Sequence, residues 1–413
     1  MRRPYRFTQS KKLWARAQTL IPGGSQTTRR PEMTEWPIYF DRAKGCRMWD
    51  VDGNEFIDFL CSIGPVMLGY AYPRVDNAAR AIMAASFQSS MNHPIQLELA
   101  QQLIKMIPCA EKVRFLKTGT EATQAAVRLA RAATGRKYIA RHGYHGWADL
   151  WIGAWKCRGA DWDASDKVLR FDGTAEGLAT LFKQSRRRFA AVILCPADTR
   201  PFTHENYQGI IDVAHRHGAV VIFDEIKSGF RLAFGGAQEV LGVVPDLTTV
   251  SKGIANGYPL SAVVGKADLM DQMDKAMLAG TFAIEALALA AALATLREVK
   301  ARNVPAHLDR VGRRLIDGLN GIAQSLGLEA RAYGDPLPAM PRFAWKEGVV
   351  VDGGQPIVND AHRYFTQETF RYGLYWSPWH VAFVNYSHKN ADIDEALDIF
   401  DFVLRRTKKK FHL

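Results

Sequence analysis

The run Val220-Val-Ile-Phe-Asp224-Glu225 is followed, 28 residues beyond its aspartate, by the lysine of Thr248-Thr-Val-Ser-Lys252-Gly253. Ala219 to Phe223 is continuously apolar and stops on two carboxylates. Such a run reads as a strand buried on both faces, with Asp224 at its carboxyl end. The second piece reads as another short strand, ending in a lysine between Ser251 and Gly253. Ligands of open α/β sheets sit outside the carboxyl ends of the strands. An acid and an amine delivered there suggest one cofactor held from two sides. Pyridoxal phosphate asks for that pair: a lysine to form an imine with its aldehyde, and a carboxylate to keep its ring nitrogen protonated. A buried Asp–Lys ion pair is the alternative for these two residues alone, and the rest of the chain has to decide.

A chain of 413 residues, 47% hydrophobic, can bury a full core and divides into two domains. No apolar run approaches the roughly 20 residues needed to span a bilayer. Met1-Arg-Arg-Pro-Tyr-Arg-Phe is basic without an apolar stretch behind it, so no secretory signal and no membrane partner is expected. Cys46, Cys61, Cys109, Cys157 and Cys195 are scattered, without metal-ligand spacing. They read as reduced thiols of a cytoplasmic protein with no metal site. The excess of 54 Lys and Arg over 42 Asp and Glu gives a formal charge of +12. The basic residues are dispersed, and the clusters at Arg186-Arg-Arg and Lys408-Lys-Lys lack interleaved aromatics, which argues against nucleic acid. A positive field around an anionic cofactor and substrate is the simpler account.

Gln9 to Leu20 carries apolar residues at helical spacing and stops at Pro22-Gly-Gly. Asp52-Gly53-Asn54, between short apolar runs, predicts a hairpin. Beyond residue 76, strands at 113–116, 137–140, 191–195, 219–223, 247–250 and 260–264 interleave with helices at 95–106, 121–133, 205–216 and 284–300. That alternation predicts a mostly parallel sheet with helices on both faces. The expected division is an N-terminal segment (1–65) packed with the small domain, a large cofactor domain (66–320), and a small α+β domain (321–413).

The stretch Val113-Arg-Phe-Leu-Lys-Thr118-Gly119-Thr120-Glu121-Ala122 ends a strand on a glycine and two hydroxyls where a helix begins. Free amides there make an anion site, with plain N-capping by Thr120 as the alternative. The glycine-rich patterns GxxxxGK[ST] and GxGxxG are absent, which excludes P-loop and dinucleotide readings. In Arg141-His142-Gly143-Tyr144-His145-Gly146, Tyr144 is placed to lie on an aromatic cofactor. His145 lacks further ligands for a metal and reads as a packed or hydrogen-bonded histidine, also carried as a candidate for contact with substrate.

The chain resembles the class III, fold-type I pyridoxal-phosphate aminotransferases, and within them the glutamate-1-semialdehyde aminomutase branch. The resemblance rests on Pro22-Gly-Gly-Ser, Lys44 to Asp58, Thr118-Gly-Thr-Glu-Ala122, Gly143-Tyr-His-Gly146, Phe223 to Arg231, Pro245-Asp-Leu, Ser251-Lys-Gly and Ala279-Gly-Thr281. It implies a large domain with a seven-stranded, mostly parallel sheet, a smaller α+β domain, and a homodimer with shared sites. It also implies roles. Lys252 would bind the cofactor's aldehyde and shuttle the substrate's α-proton, and Asp224 would hold the ring nitrogen. Tyr144 and Ile226 would sandwich the ring, Thr118, Gly119 and Thr120 would take the phosphate, and Thr281 would reach the phosphate of the partner subunit.

Three departures concern the substrate side. Cys195-Pro196 stands where many relatives have Glu-Pro, so a carboxylate cannot switch substrates at 195. Phe282-Ala-Ile-Glu-Ala replaces a Ser/Asn-Pro element. The stretch from Ile152 to Arg170 is shorter than the mutase branch's gating loop, and a lid keeps an intermediate captive. Arg30 falls where that branch clamps a carboxylate, with a solvated surface arginine as the alternative. His380 replaces a glutamate, with a core histidine at a turn as the alternative. The combination favours an aminotransferase acting on a small-molecule amino donor, glutamate foremost, and a keto or aldehyde acceptor of anionic, phosphorylated or nucleotide-linked kind. An aminomutase or racemase, and a non-catalytic basic binding protein on the same scaffold, are the other readings.

Overall fold

The structure, a computed structural model, describes residues 3–26, 38–85, 87–152, 167–185, 187–345, 350–351, 355–356, 360–377 and 380–413. The chain divides into two units, residues 1–72 with 306–413, and residues 73–305. The boundaries expected from sequence lay after residues 65 and 320.

In the first unit, β1 (Phe40–Lys44), β2 (Arg47–Asp50) and β3 (Glu55–Asp58) run antiparallel, and Leu374–Tyr375 adds a parallel edge beside β3. The hairpin closes at Asp52-Gly53-Asn54. Asp50 Oδ1 accepts from the Asp52 and Asn54 amides at 3.0 and 2.8 Å, and Gly53 adopts φ +82°, which glycine does without steric cost. Arg47 ties this hairpin to the helix Asn390–Phe411, 2.8 Å from Asp392 and 2.7 Å from Glu395.

The second unit is built on one sheet. Its strands are β4 (Lys112–Leu116), β5 (Tyr138–His142), β6 (Val168–Arg170), β7 (Phe189–Leu194), β8 (Val220–Asp224), β9 (Leu247–Val250) and β10 (Ser261–Gly265). Their spatial order is β4-β10-β9-β8-β7-β5-β6. The five strands from β6 to β9 are mutually parallel, and β10 runs antiparallel to β9 and β4. Every residue of β7 and β8 is buried, because alternate side chains enter two different cores. Ile193 and Ile222 pack with Ala122, Ala126 and Leu129 of the helix Gly119–Thr134. Leu194, Val221 and Phe223 pack with Tyr207 and Ile210 of the helix His204–Arg216. Each fully buried Val, Ile, Leu or Phe contributes roughly 1.5–3 kcal/mol. The sequence expectation omits β6, whose three residues are too few to show a period. No described helix is long and apolar enough to cross a membrane.

Candidate active site

Asp224 closes β8 and stands in register with Thr249 on β9. Lys252 follows Thr249 by three residues, so acid and amine leave the sheet at one edge, within roughly 10 Å of extended chain. Lys252 opens the short turn Lys252–Ala255 with φ +42°. A left-handed conformation in a non-glycine residue stores about 1–3 kcal/mol, and such strain gathers at functional sites. Ser251 anchors the turn by donating its hydroxyl to the Leu260 carbonyl at 2.9 Å.

Asp224 is 2% exposed. Its Oδ1 accepts from the Ile226 amide at 3.2 Å and the Thr249 hydroxyl at 3.4 Å, and its Oδ2 lies 2.7 Å from His145 Nδ1. His145 Nε2 lies 3.1 Å from the His142 carbonyl oxygen. The imidazole is fully enclosed. It stands behind the carboxylate. Thr123, on the helix Gly119–Thr134, donates its hydroxyl to the His145 carbonyl at 2.7 Å and receives the Trp151 indole N–H at 3.1 Å.

This contact needs a loop that crosses a strand end, because β7 lies between β5 and β8. Gly143, at φ +97°, makes the crossing, and a Cβ there would come within 2.9 Å of the Cys195 Cβ. A small residue at 195 and none at 143 therefore let the loop pass. The Cys195 thiol is sealed beneath it, and burial pushes its pKa up. The neighbouring carboxylate does something else. Glu225 points away from Asp224 and accepts from Ser228 at 2.6 Å and from the Ala237 and Gln238 amides at 2.9 and 3.2 Å. Burial raises its pKa against those donors.

At the other end, the helix starts two residues earlier than the sequence suggested. Thr118 is the N-cap, taking the Glu121 amide at 3.2 Å, while Glu121 accepts from the Thr118 amide at 2.6 Å. That reciprocal box leaves Thr120 inside the first turn and the Gly119 and Thr120 amides outside the helix's own ladder. Close packing fixes the spot. A Cβ on Gly119 would lie 2.7 Å from Ile226 Cδ1, and one on Gly146 would lie 2.5 Å from Thr120 Oγ1. The loop after β5, the helix start and the turn after β8 thus converge, bringing together Thr118, Gly119, Thr120, His145, Asp224 and Ile226. Tyr144, beside His145, is 44% exposed.

Thr281 is exposed and borders an open cleft of about 520 Å³ shared with Lys117, Thr120, Glu121, Arg128 and Phe282. Arg30 and residues 153–166, most of the stretch compared with a gating loop, lie outside the described residues. His380 belongs to the first unit, where its Nδ1 donates to the Val381 carbonyl at 2.9 Å. Sequence reasoning missed the Lys227–Asp198 ion pair, whose side chains are 15% and 12% exposed. A carboxylate three residues past Cys195 was its only sign.

The sequence matches the family Aminotransferase class-III over residues 28–157 and 163–334. It is 32% identical over 416 residues to 3-aminobutyryl-CoA aminotransferase of Cloacimonas acidaminovorans (strain Evry), covering 98% of each chain. It is 38% identical over 350 residues to glutamate-1-semialdehyde 2,1-aminomutase of Rhodopirellula baltica, covering 79% of each. Among solved structures, the FumI protein of Sphingopyxis sp. MTA144, determined in its PLP internal aldimine form, superposes with a TM-score of 0.89 at 29% identity, covering 98% of each chain. With its mostly parallel seven-stranded sheet in the fold-type I arrangement, this chain belongs to the class III aminotransferases, a family of pyridoxal-phosphate-dependent enzymes.

Proposed function

We propose that this chain moves an amino group from a small amino donor, glutamate in the first instance, to a keto or aldehyde acceptor bearing a phosphate or a nucleotide. The observation that carries the reading is the shared strand edge of Asp224 and Lys252, facing a helix start with amides to spare. The groups present fit pyridoxal phosphate. Asp224 would hold the ring nitrogen, Tyr144 and Ile226 its two faces, and Gly119, Thr120 and Thr118 its phosphate. When bound, the cofactor supplies an electron sink for the bond broken at the substrate's α-carbon. Lys252 Nζ would take and return the proton at that carbon.

The acceptor class is supported by the formal charge of +12 and by a relative named for a coenzyme A-linked amine, whose keto counterpart is a nucleotide-linked acceptor when transamination runs in reverse. Arg30 and His380 are the residues proposed to read its charge. The test loads the protein with pyridoxal phosphate and glutamate, then offers 3-oxoacyl-CoA, phosphorylated ketones, nucleotide-linked ketones and neutral ketones. Turnover of the anionic acceptors is expected. Turnover of neutral ketones alone would overturn the assignment.

A homodimer belongs to the same proposal. The Thr281 cleft carries exposed Met277 and Phe282, an apolar surface that a second copy would cover, with Thr281 of the partner subunit reaching the phosphate. Sedimentation should give a dimer for the wild type and a smaller species for Phe282→Asp. Four described cysteines, all buried and in thiol form, support a cytoplasmic setting. An aminomutase is the second reading, favoured by the 38% identity above. Turnover of glutamate-1-semialdehyde without an added keto acid would select it.

A further inference from the structure

We propose that Arg141 and Arg170, side by side near the carboxyl ends of β5 and β6, form a binding site for a phosphate group, separate from the residues proposed for the cofactor. The site does not depend on Asp224 and Lys252 holding pyridoxal phosphate; only its assignment to the acceptor rests on the function proposed above.

The place of Arg141 in the sheet carries the argument. It stands in register with Arg170 on β6 and with Ile193 on β7, and Ile193 stands in register with Ile222 on β8. Ile193 and Ile222 belong to the core under the helix Gly119–Thr134. So does Ile139, two residues before Arg141 and therefore on the same face of β5. One row of the sheet is thus apolar on β8 and β7 and becomes two neighbouring arginines on β5 and β6. Like charges in register repel, so the pair weakens the sheet that presents it.

Arg141 is 4% exposed, and no described residue accepts a hydrogen bond or an ion pair from its guanidinium. Burial, with the charge of Arg170 beside it, lowers its pKa to about 10, which still leaves a cation at neutral pH. A buried cation without an anion is costly. A guanidinium fork meets two oxygens of a phosphate at once, and two forks in register grip it from two sides. Arg170 is exposed and borders an open cleft of about 380 Å³, so the pair runs from solvent into the buried layer. Asp172, on the same cleft, accepts from the Thr174 amide and hydroxyl at 2.9 and 2.7 Å. β5 lies two strands from β8, and adjacent strands stand roughly 4.8 Å apart, so Arg141 is about 10 Å across the sheet from the strand of Asp224. A nucleotide-linked acceptor carries its phosphates on an arm of that reach.

Calorimetric titration of the protein, incubated with pyridoxal phosphate and dialysed, with inorganic phosphate and separately with ADP at fixed ionic strength tests the site. The wild type should bind both. Arg141→Met should bind each about tenfold or more weakly, the loss of one charge-assisted, bidentate contact. Arg141→Lys, which keeps the charge without the fork, should fall between. Arg141→Met removes a buried charge and is expected to fold; if it does not, Arg170→Met, at the exposed position, makes the same comparison. No binding by the wild type, or equal binding by the wild type and the methionine variants, would overturn the proposal. Steady-state rates then name the source of the phosphate. A KM for a phosphorylated acceptor that rises about tenfold in Arg141→Met puts the group on the acceptor. A KM that stays put while phosphate binding is lost makes free phosphate the ligand of the site. A protein without transaminase activity whose phosphate binding still falls on substitution overturns the function proposed above and supports the site.

Discussion

Two aspartate–histidine pairs stand at opposite ends of the same parallel strands. Asp224 closes β8 and meets His145. Asp246 immediately precedes β9 and meets His215 at 2.8 Å, Lys266 at 2.6 Å and the Val221 amide at 2.8 Å. Both carboxylates are buried, but their partners differ. His145 is sealed, whereas His215 and Lys266 are 42% and 43% exposed. At Asp246 burial works against ionisation, and the bonds from Lys266, Val221 and His215 outweigh it, so its carboxyl lies below the usual range. Water can reach the partners of Asp246 and restore them when the pair breaks, which makes it a strap holding strand starts. Burial of the partner, more than the identity of the pair, distinguishes the two.

Substitutions can break this contrast, beginning with the largest effect. Lys252→Ala should lower transamination by about 10³-fold or more, since both proton shuttle and covalent anchor go; steady-state rates with the cofactor in excess check it. Asp224→Asn should cost about 10²–10³ in kcat/KM, the range for one electrostatic group aimed at developing charge, with thermal stability little changed. Asp246→Asn should do the reverse, leaving kcat/KM intact while removing about 1–3 kcal/mol of stability, read from chemical denaturation. Its pH dependence has a definite sign. A carboxyl whose folded pKa is depressed contributes stability above its unfolded value of about 3.9, and loses it as pH falls through the folded pKa. The wild type should therefore lose more stability than Asp246→Asn below about pH 4. His215→Gln, at the exposed partner, should change stability by no more than about 1 kcal/mol and leave the rate alone. A rate loss there would erase the distinction.

Much of this was legible along the chain because β7 and β8 are continuous apolar runs that end on punctuating residues. Asp224, Lys252 and the Thr118-Gly119-Thr120 turn could be placed at strand ends from local pattern. What escaped was long-range. His145 and Asp224 are 79 residues apart on loops of strands that are not neighbours, and no period or spacing reports the order in which strands lie. The Lys227–Asp198 pair was hidden for the same reason, since it joins the turns after β7 and β8. The N-cap was misplaced by two residues, at Thr120 where Thr118 serves, because both hydroxyls fit the same local signal and only Glu121 closing back on Thr118 decides.

The central claim is that one lysine holds the cofactor and that it is Lys252. Reconstituting the protein with pyridoxal phosphate, reducing it with borohydride and mapping peptides by mass tests this directly. The account predicts a stable cofactor adduct on the peptide containing Lys252, absent from Lys252→Ala. An adduct on Lys227 or another lysine, with Lys252 unmodified, would contradict it.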